Sequence, residues 1–413
     1  MAQEVYFEQV VARGCGLDVH KETVVATVSG TSIKKETRTF STFTRSLTEL
    51  REWLLSLGVT HVAMESTGVY WKPVFNILEG YGITILIVNA RHIKYVPGHK
   101  TDKKDSAWIC KLLLAGLLKG SFVPPVEIRN LRDMTRYRRK LEGAVTAEKN
   151  RMIRILEDAN IKLSTVLSKV HGVSGTKIVD AMLSGETDTD VLLGLCRGRI
   201  KADREDIKLS LEGRLTEHHK FMLRMIKKDI EQTEALINDL DKEIANQLQP
   251  YAEELSLLKQ IPGMGEQTAG ALIAEIGVDM DVFPDEKHLA SWAGMSPGNN
   301  ESAGKKKSGR TTHGNKNVKA VLTESAWAAS KTKNTFLSSK YKRLAGRRGK
   351  KRAIVAVGHA ILTIAYQMIK EKKSFLELGA TYIDEKKREG QIKYFQKRLQ
   401  ELGAENPELN KSA

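Results

Sequence analysis

Residues 15–30 read CGLDVHKETVVATVSG. Two β-rich runs, 15–19 and 23–29, flank the polar residues His20, Lys21 and Glu22, and Ser29-Gly30 marks a turn after the second. KKETRTFSTF (34–43) alternates well enough to be a third strand of the same meander. SLTELREWLLSLG (46–58) reads as a capped amphipathic helix, with Ser46 at its start, Glu49 three residues on and Gly58 as its stop. THVAMES (60–66) then reads as a strand, YWKPVFNILEGYG (70–82) as a helix, ITILIVN (83–89) as a buried strand, and a further helix opens near Asp102. Three meandering strands followed by alternating helices and parallel strands make a mixed α/β sheet, unlike a dinucleotide-binding fold.

Past Pro124-Pro125, a natural boundary, the pattern turns helical. Leu131, Met134, Leu141, Val145, Met152 and Ile155 follow 3-4 spacing broken at Arg138 and Glu148, with nine basic residues and three acids between Arg129 and Arg154. Leu223, Ile226, Ile230, Thr233, Ile237, Leu240 and Ile244 form a cleaner stripe, the signature of a coiled-coil seam within the chain or between protomers. Residues 160–215, with turns and mixed charge, have no clear place, and Pro250 ends the long helix. AIVAVGHAILTIAYQMI (353–369) is short for a membrane span and carries His359 and Gln367, so a buried helix is expected. The expected domains are 1–122, 123–255, 256–352 and 353–413, with no internal repeat.

The chain has 413 residues and a formal charge of +16, with a pI near 9.5, which points to a polyanionic partner. Nearly all the excess lies between Lys305 and Arg352, where sixteen Lys or Arg meet one acid, Glu324. Trp292, Trp327, Phe336 and Tyr341 lie within or beside this run, which favours a folded nucleic-acid-facing surface over a solvated tail. Cys15, Cys110 and Cys196 are far apart and form no C-x-x-C pair, which fits a reducing cytoplasm and neither a zinc site nor a disulfide framework. The first residues, MAQEVYFEQVVARG, lack the features of a signal peptide, and no membrane partner is expected.

Candidate chemistry begins with carboxylates. Asp18 sits in or at the end of the first strand and Glu65 follows the apolar run of the fourth. If those strands are neighbours, the two acids project within about 5 Å, one strand spacing. In KTDKKDSAWI (100–109), Asp102 and Asp105 fall three apart at a helix start. That spacing suits an N-cap and a first-turn acid; it also suits two carboxylates sharing a hard cation. Four like charges at one locus need a cation, and two Mg2+ ions about 3.5–4 Å apart would clamp the attacking and leaving oxygens of phosphoryl transfer. Lys100, Lys103 and Lys104 would then meet phosphates.

Two stretches further on add to this. IPGMGEQTAGALIAEIG (261–277) joins two helical patterns through a glycine-rich turn. It is either a helix-hairpin-helix, with amides for phosphates, or simply a tight helix corner. WAGMSPGNNESAGKKKSGRTTHGNKNVK (292–319) is a loop or hairpin dense in hydroxyls and positive charge. From chemistry alone Ser296, Ser302, Ser308, Thr311 and Thr312 are all eligible nucleophiles, and for any one of them a backbone hydrogen bond is the commoner role.

GLDVHK, MESTGVYW and KTDKKDSAWI, in this order and spacing, resemble the Asp-Glu-Asp-Asp signature of RuvC-like insertion-sequence transposases, the family that includes relatives of the Piv DNA invertase. The resemblance covers nearly the whole chain. It implies a ribonuclease-H-like first domain with Asp18, Glu65, Asp102 and Asp105 as Mg2+ ligands, then a coiled-coil region and a mainly helical transposase domain. It also implies a nucleophilic serine, mapped to Ser302 in ESAGK after Gly294-Met295-Ser296-Pro297; this chain has Ser302-Ala303-Gly304 where members commonly have Ser-Gly-Gly. The activity implied is cutting, exchange and rejoining of DNA strands through a phosphoserine link, with both domains forming one composite site. The partners implied are the element's DNA ends and target, a structured non-coding guide RNA, and further copies of the chain as a dimer or tetramer, in a bacterial or archaeal cytoplasm beside the nucleoid. The basic helix 127–157, with Arg136 and Arg139, and the surface 305–352, with Lys305, Lys306, Lys307, Arg310, Lys316 and Lys319, are the candidate RNA and DNA contacts. A RuvC-type junction nuclease using metal-activated water, and a non-catalytic nucleic-acid-binding protein, are the alternatives.

Overall fold

The computed structural model describes residues 9–66, 68–89, 102–198, 200–298, 300–302, 305–308 and 310–402; at 102–104, 300–302, 305–308, 387 and 389 the description is of the backbone alone. The chain divides into two compact units, Met1–Val123 and Pro124–Ala413.

The first unit follows the expected order: β1 (Arg13–Val19), β2 (Thr23–Gly30), β3 (Ile33–Ser41), α1 (Thr44–Ser56), β4 (His61–Glu65), α2 (Trp71–Leu78), β5 (Thr84–Val88) and α3 (Asp102–Leu114). The sheet order is β3-β2-β1-β4-β5. β1, β2 and β3 pair antiparallel, whereas β4 runs parallel to β1 and β5 parallel to β4. This is the mixed sheet that the sequence predicts. Several boundaries shift: α2 ends at Leu78, short of Gly82, β3 ends at Ser41, and the start of α1 differs in its capping. α1 begins at Thr44, with no side-chain cap at Phe43. Ser46 instead accepts a bond from the Ser41 amide at 3.1 Å and ties the helix to the end of β3.

Strand alternation sorts the sheet into two faces. Cys15, Leu17, Val19, Val62 and Met64 bury against α1 and α2 through Leu47, Leu50, Leu54, Val74, Phe75 and Leu78. Ala63 and Val88 pack on the other face against Ile109, Leu112 and Leu113 of α3. Gly14 and Gly16 alternate with the first set and so lie under α3. A Cβ on Gly16 would come within 2.2 Å of the Ser106 carbonyl oxygen and 2.3 Å of the Cys110 amide nitrogen, so only glycine lets the two backbones meet. The Ser106 hydroxyl bonds that of Thr27 at 2.8 Å in the buried interior, and Thr27 bonds Thr37 at 2.8 Å. At the far end the Leu114 carbonyl accepts from the Val10 and Val11 amides. α3 therefore runs antiparallel to β1, with its first turn at the carboxyl end of that strand.

In the second unit α4 (Val126–Asp158) is followed by four short helices, α5 (Leu163–Val166), α6 (Val173–Leu183), α7 (Thr189–Gly194) and α8 (Arg204–Leu211), and then by α9 (Glu217–Leu248). Ion pairs Arg138–Asp241, Lys149–Glu234 and His219–Asp158 fix α4 and α9 as an antiparallel pair. Leu223, Ile226 and Ile230 of the α9 stripe bury in one core with Val145, Met152 and Leu156 of α4. The first half of the stripe is thus covered within the chain, and Ile237 packs partly against the same core. The segment 160–215 closes one end of the pair, with Ile178, Leu192 and Ile207 in that same core.

The remaining elements are α10 (Ala252–Lys259), α11 (Glu266–Ile276), α12 (Glu286–Trp292), β6 (Asn300–Ser302), β7 (Lys305–Ser308), α13 (Lys316–Lys331), α14 (Phe336–Arg348), α15 (Lys350–Glu371) and α16 (Tyr382–Glu401). α15 is long and apolar enough to cross a membrane, but 61% of its most apolar window is buried inside the protein. Its partners are α10, α12, α13 and α14, as expected of a core helix. At the α10–α11 corner Gly263 has φ +85°, and a Cβ there would sit 2.4 Å from backbone atoms of Ser325 and Ala329 in α13. That close approach explains the glycine as a packing device, while Gly265, Glu266 and Gln267 at the start of α11 are exposed.

Candidate active site

Asp18 and Glu65 are placed by the parallel pairing of β1 with β4. Their register, Leu17 opposite Met64, brings Asp18 and Glu65 to the next position, at the carboxyl ends of adjacent strands. Because Leu17 and Met64 face α1 and α2, the alternation turns both acids to the α3 face. The first turn of α3, which begins at Asp102, lies at that same edge. Asp105 precedes Ser106, the residue anchored on Thr27 beside β1. Asp102 is described at the backbone only.

Asp18 is 17% exposed, and its Oδ2 lies 3.1 Å from His20 Nε2. Glu65 and Asp105 are half-buried, and neither makes a side-chain hydrogen bond or ion pair among the described residues. Carboxylate oxygens from the strand ends and from α3, those of Glu65 and Asp105 without a protein partner among the described residues, are the hard donors that Mg2+ takes. Among the described residues no group of three or more His, Cys, Asp or Glu is gathered closely enough to hold a metal; the Asp102 side chain is not among them. The two thiols of this unit offer no alternative chemistry: Cys15 and Cys110 are buried and unbridged, and burial pushes Cys110 up to about 11.

The serine-rich segment is an antiparallel ribbon. Its root is closed by bonds from the Gly298 amide to the Arg310 carbonyl (2.9 Å) and from the Thr312 amide to the Ser296 carbonyl (3.1 Å). Gly294, at φ +70°, and Gly314 pack backbone on backbone, and a Cβ on either would clash with the other. Ser302 pairs with Lys305 as the last strand residue before the ribbon's turn. Ser308 pairs with Asn300 further back, and Ser296 belongs to the root. Ala303 and Gly304 lie outside the described residues, and the Ser302 side chain is not described.

The candidate cations separate into groups. Lys100 lies outside the described residues, and Lys103, Lys104, Lys305, Lys306 and Lys307 are placed by backbone alone, at the start of α3 and along β7. Arg310, Lys316 and Lys319 line one cleft at the ribbon's root. Arg139 comes within 4.0 Å of Glu324. Arg136 is committed to Glu275, with Nε and Nη2 donating at 2.7 and 2.8 Å.

Glu275 was not among the residues singled out from the sequence. It is 2% exposed and accepts from Asn315 Nδ2 at 2.6 Å, with Arg132 Nε 3.6 Å away. Burial lowers the Arg132 guanidinium to about 10, and Glu275 opposes that shift. Asn315 also caps α13 by accepting from the Asn317 and Val318 amides. One carboxylate therefore joins α4, α11 and the foot of the ribbon. No local signal marks it, because it sits in the apolar run ALIAEIG with partners 139 and 40 residues away.

Comparison with known proteins bears on the family of the chain. Residues 15–161 match a family model described as a transposase, of the DEDD type of IS110 elements. Residues 255–342 match the model of the IS116/IS110/IS902 transposase family. The pilin gene-inverting proteins of Moraxella bovis and Moraxella lacunata are each 31% identical over 199 residues, 42% of this chain. The chain spans 60% of the length of those relatives. The matches support an IS110-type transposase.

Proposed function

We propose that this chain is a DNA recombinase that cuts, exchanges and rejoins the strands of an insertion sequence, with Ser302 as nucleophile and Asp18, Glu65, Asp102 and Asp105 as ligands for Mg2+. The observation that carries the reading is the placement of Asp18 and Glu65 on one sheet face, at the edge where α3 begins. The match of both units to transposase models supports it.

In the proposed step the Ser302 Oγ attacks a backbone phosphorus, an Oγ–P bond forms and the P–O3′ bond breaks. The hydroxyl proton ends on the leaving 3′ oxygen. Rejoining reverses this: a 3′ hydroxyl of another strand attacks the phosphoserine, and the serine takes back a proton. The ester keeps the bond energy, so no cofactor is consumed. Bound Mg2+ would supply Lewis-acid stabilisation of the oxyanions. Asp18 and Glu65 offer donors from rigid strand ends, Asp105 does so from a helix pinned through Ser106, and Lys305 is Ser302's ribbon partner. A structured RNA that pairs with donor and target DNA, and assembly into a dimer or tetramer, complete the proposal.

The test is adduct trapping with the RNA and both DNAs. The wild-type protein should give a covalent protein–DNA species that Ser302→Ala abolishes along with cleavage, and Asp18→Ala or Glu65→Ala should abolish both as well. Normal cleavage by Ser302→Ala would overturn the serine role and favour a metal-activated water.

A further inference from the structure

The ribbon's root, α13, α14 and the first half of α15 enclose a cleft of about 1030 Å3. Arg310, Lys316, Lys319, Lys340, Lys351 and Arg352 line it together with His313 and His359, and none of its lining residues is Asp or Glu. Met295, Pro297, Val355 and Ala356 give it an apolar floor. Two of its cations are set in place rather than waving from the surface. Lys319 Nζ donates to the Thr311 hydroxyl at 2.7 Å. Lys340 is half-buried against the Phe336 ring, 5.6 Å from its ammonium, and burial pushes that ammonium below the usual lysine range.

Six positive charges around one hollow repel one another, and a desolvated ammonium without a carboxylate costs stability. An anionic occupant offsets both. The cleft is too large for a single ion, and its charges are spread over four elements, so the matching anion is itself a chain of charges. No Phe, Tyr or Trp lines the cleft, so its recognition rests chiefly on the six cations. We infer that this cleft holds a run of phosphodiester backbone, read by charge and spacing and not by base sequence, with Lys340 as its deepest contact. This deepens the reading of the chain as a nucleic-acid enzyme and rests on it. It singles out Lys340, Lys351 and Arg352 within the 305–352 surface, adds His359, and places a length of strand at the root of the ribbon whose tip carries Ser302.

The test measures binding without chemistry, in full-length Ser302→Ala protein, by fluorescence anisotropy with labelled oligo-dT and oligo-rU across a salt series. Lys351→Gln/Arg352→Gln, at exposed positions, should weaken binding about tenfold at low salt and lower the log–log salt slope by roughly 0.7 for each phosphate that is no longer neutralised. Lys340→Gln should act in the same direction, with a thermal melt confirming that it folds. The control Lys393→Gln/Lys397→Gln removes equal charge from α16, outside the cleft, and should leave the slope within error of the parent. Equal losses in cleft and control variants would overturn the inference, because general charge would then explain binding. An unchanged slope in both cleft variants would overturn it too. A larger effect with oligo-dT than with oligo-rU assigns the cleft to DNA, and the converse to RNA. Because the readout needs no cleavage, a failed serine mechanism leaves this result standing, and a failed cleft leaves the adduct test standing.

Discussion

Gly16 does more to place the acidic edge than any charged residue does. The Ser106 carbonyl and Cys110 amide lie where its Cβ would be, so α3 rests on β1 at backbone distance and its first turn is delivered beside Asp18. Gly16→Ala should shift α3 or unfold the unit. Overpacking of this kind costs ~1–3 kcal/mol when side chains can give way, and here the obstruction is backbone. The expected result is a loss of at least about 3 kcal/mol in urea denaturation. Ser106→Ala should cost about 1 kcal/mol, the worth of one hydrogen bond, and leave the fold intact. If Gly16→Ala unfolds at the parent's urea midpoint, the close approach does not hold α3. Residue-level reading of the sequence reaches Asp18 and Glu65, because an acid ending an apolar strand has no helix cap to explain it. It does not reach Gly16, whose requirement arises from a helix ninety residues later in the chain.

Among the elements, α11 shows how a buried charge can organise its neighbours. Glu275 serves Arg132, Arg136 and Asn315 together. Glu275→Ala would leave the Arg132 guanidinium, 14% exposed, without its counter-charge. Breaking a buried pair from one side costs about 3–5 kcal/mol; the greater exposure of Arg136, at 38%, places the expected loss near the lower end. Asn315 caps α13 and its amide bonds the Trp292 carbonyl, so the same variant should speed hydrogen exchange at the Gly298 and Thr312 amides of the ribbon's root. A stability loss without faster exchange there would confine Glu275 to packing α4 on α11. The strands, the α4 and α9 stripes and the apolar α15 are all legible in the sequence, since each buries a regular face. The start of α1 is not, because Ser46 and Glu49 imitate a capping box while the helix already runs from Thr44. Nor is the partner of the α9 stripe. Spacing shows that a seam exists, and only the antiparallel ion pairs with α4 show that the same chain packs along it. Arg136 reads as a phosphate contact in a basic run, and its pairing with Glu275, 139 residues away, is a structural bond that no local spacing shows.

Across the molecule the charge is divided unequally: residues 1–123 hold 15 Lys or Arg against 11 acids, and residues 124–413 hold 51 against 39. The second unit therefore carries most of the attraction for a polyanion and most of the self-repulsion in its absence. Two of its histidines respond to this. His171 is held below the ordinary histidine range by burial and by Lys149 of α4. His359 is lowered by burial and by Lys340 of α14, and Glu286 of α12 opposes the shift; Lys351, Arg352 and His313 share its cleft. In both cases the fold favours the neutral ring, whereas the unfolded chain protonates near 6.5. Stability from this source is therefore complete above about pH 6.5 and is lost as pH falls through the lowered folded values. The thermal midpoint of the full chain should stay level from neutral to mildly alkaline pH and drop below about pH 6.5. His171→Gln/His359→Gln should flatten that drop. A phosphodiester strand in the cleft stabilises the protonated ring of His359, so oligo-dT should shrink the drop in the parent and tighten its own binding as pH falls. The histidine variant, which keeps His313 in the cleft, should show a smaller change in binding over the same range than the parent. A parent midpoint that stays level down to pH values well below 6.5, or oligo-dT binding that weakens on acidification, would break the link between His359 and the charge of the cleft.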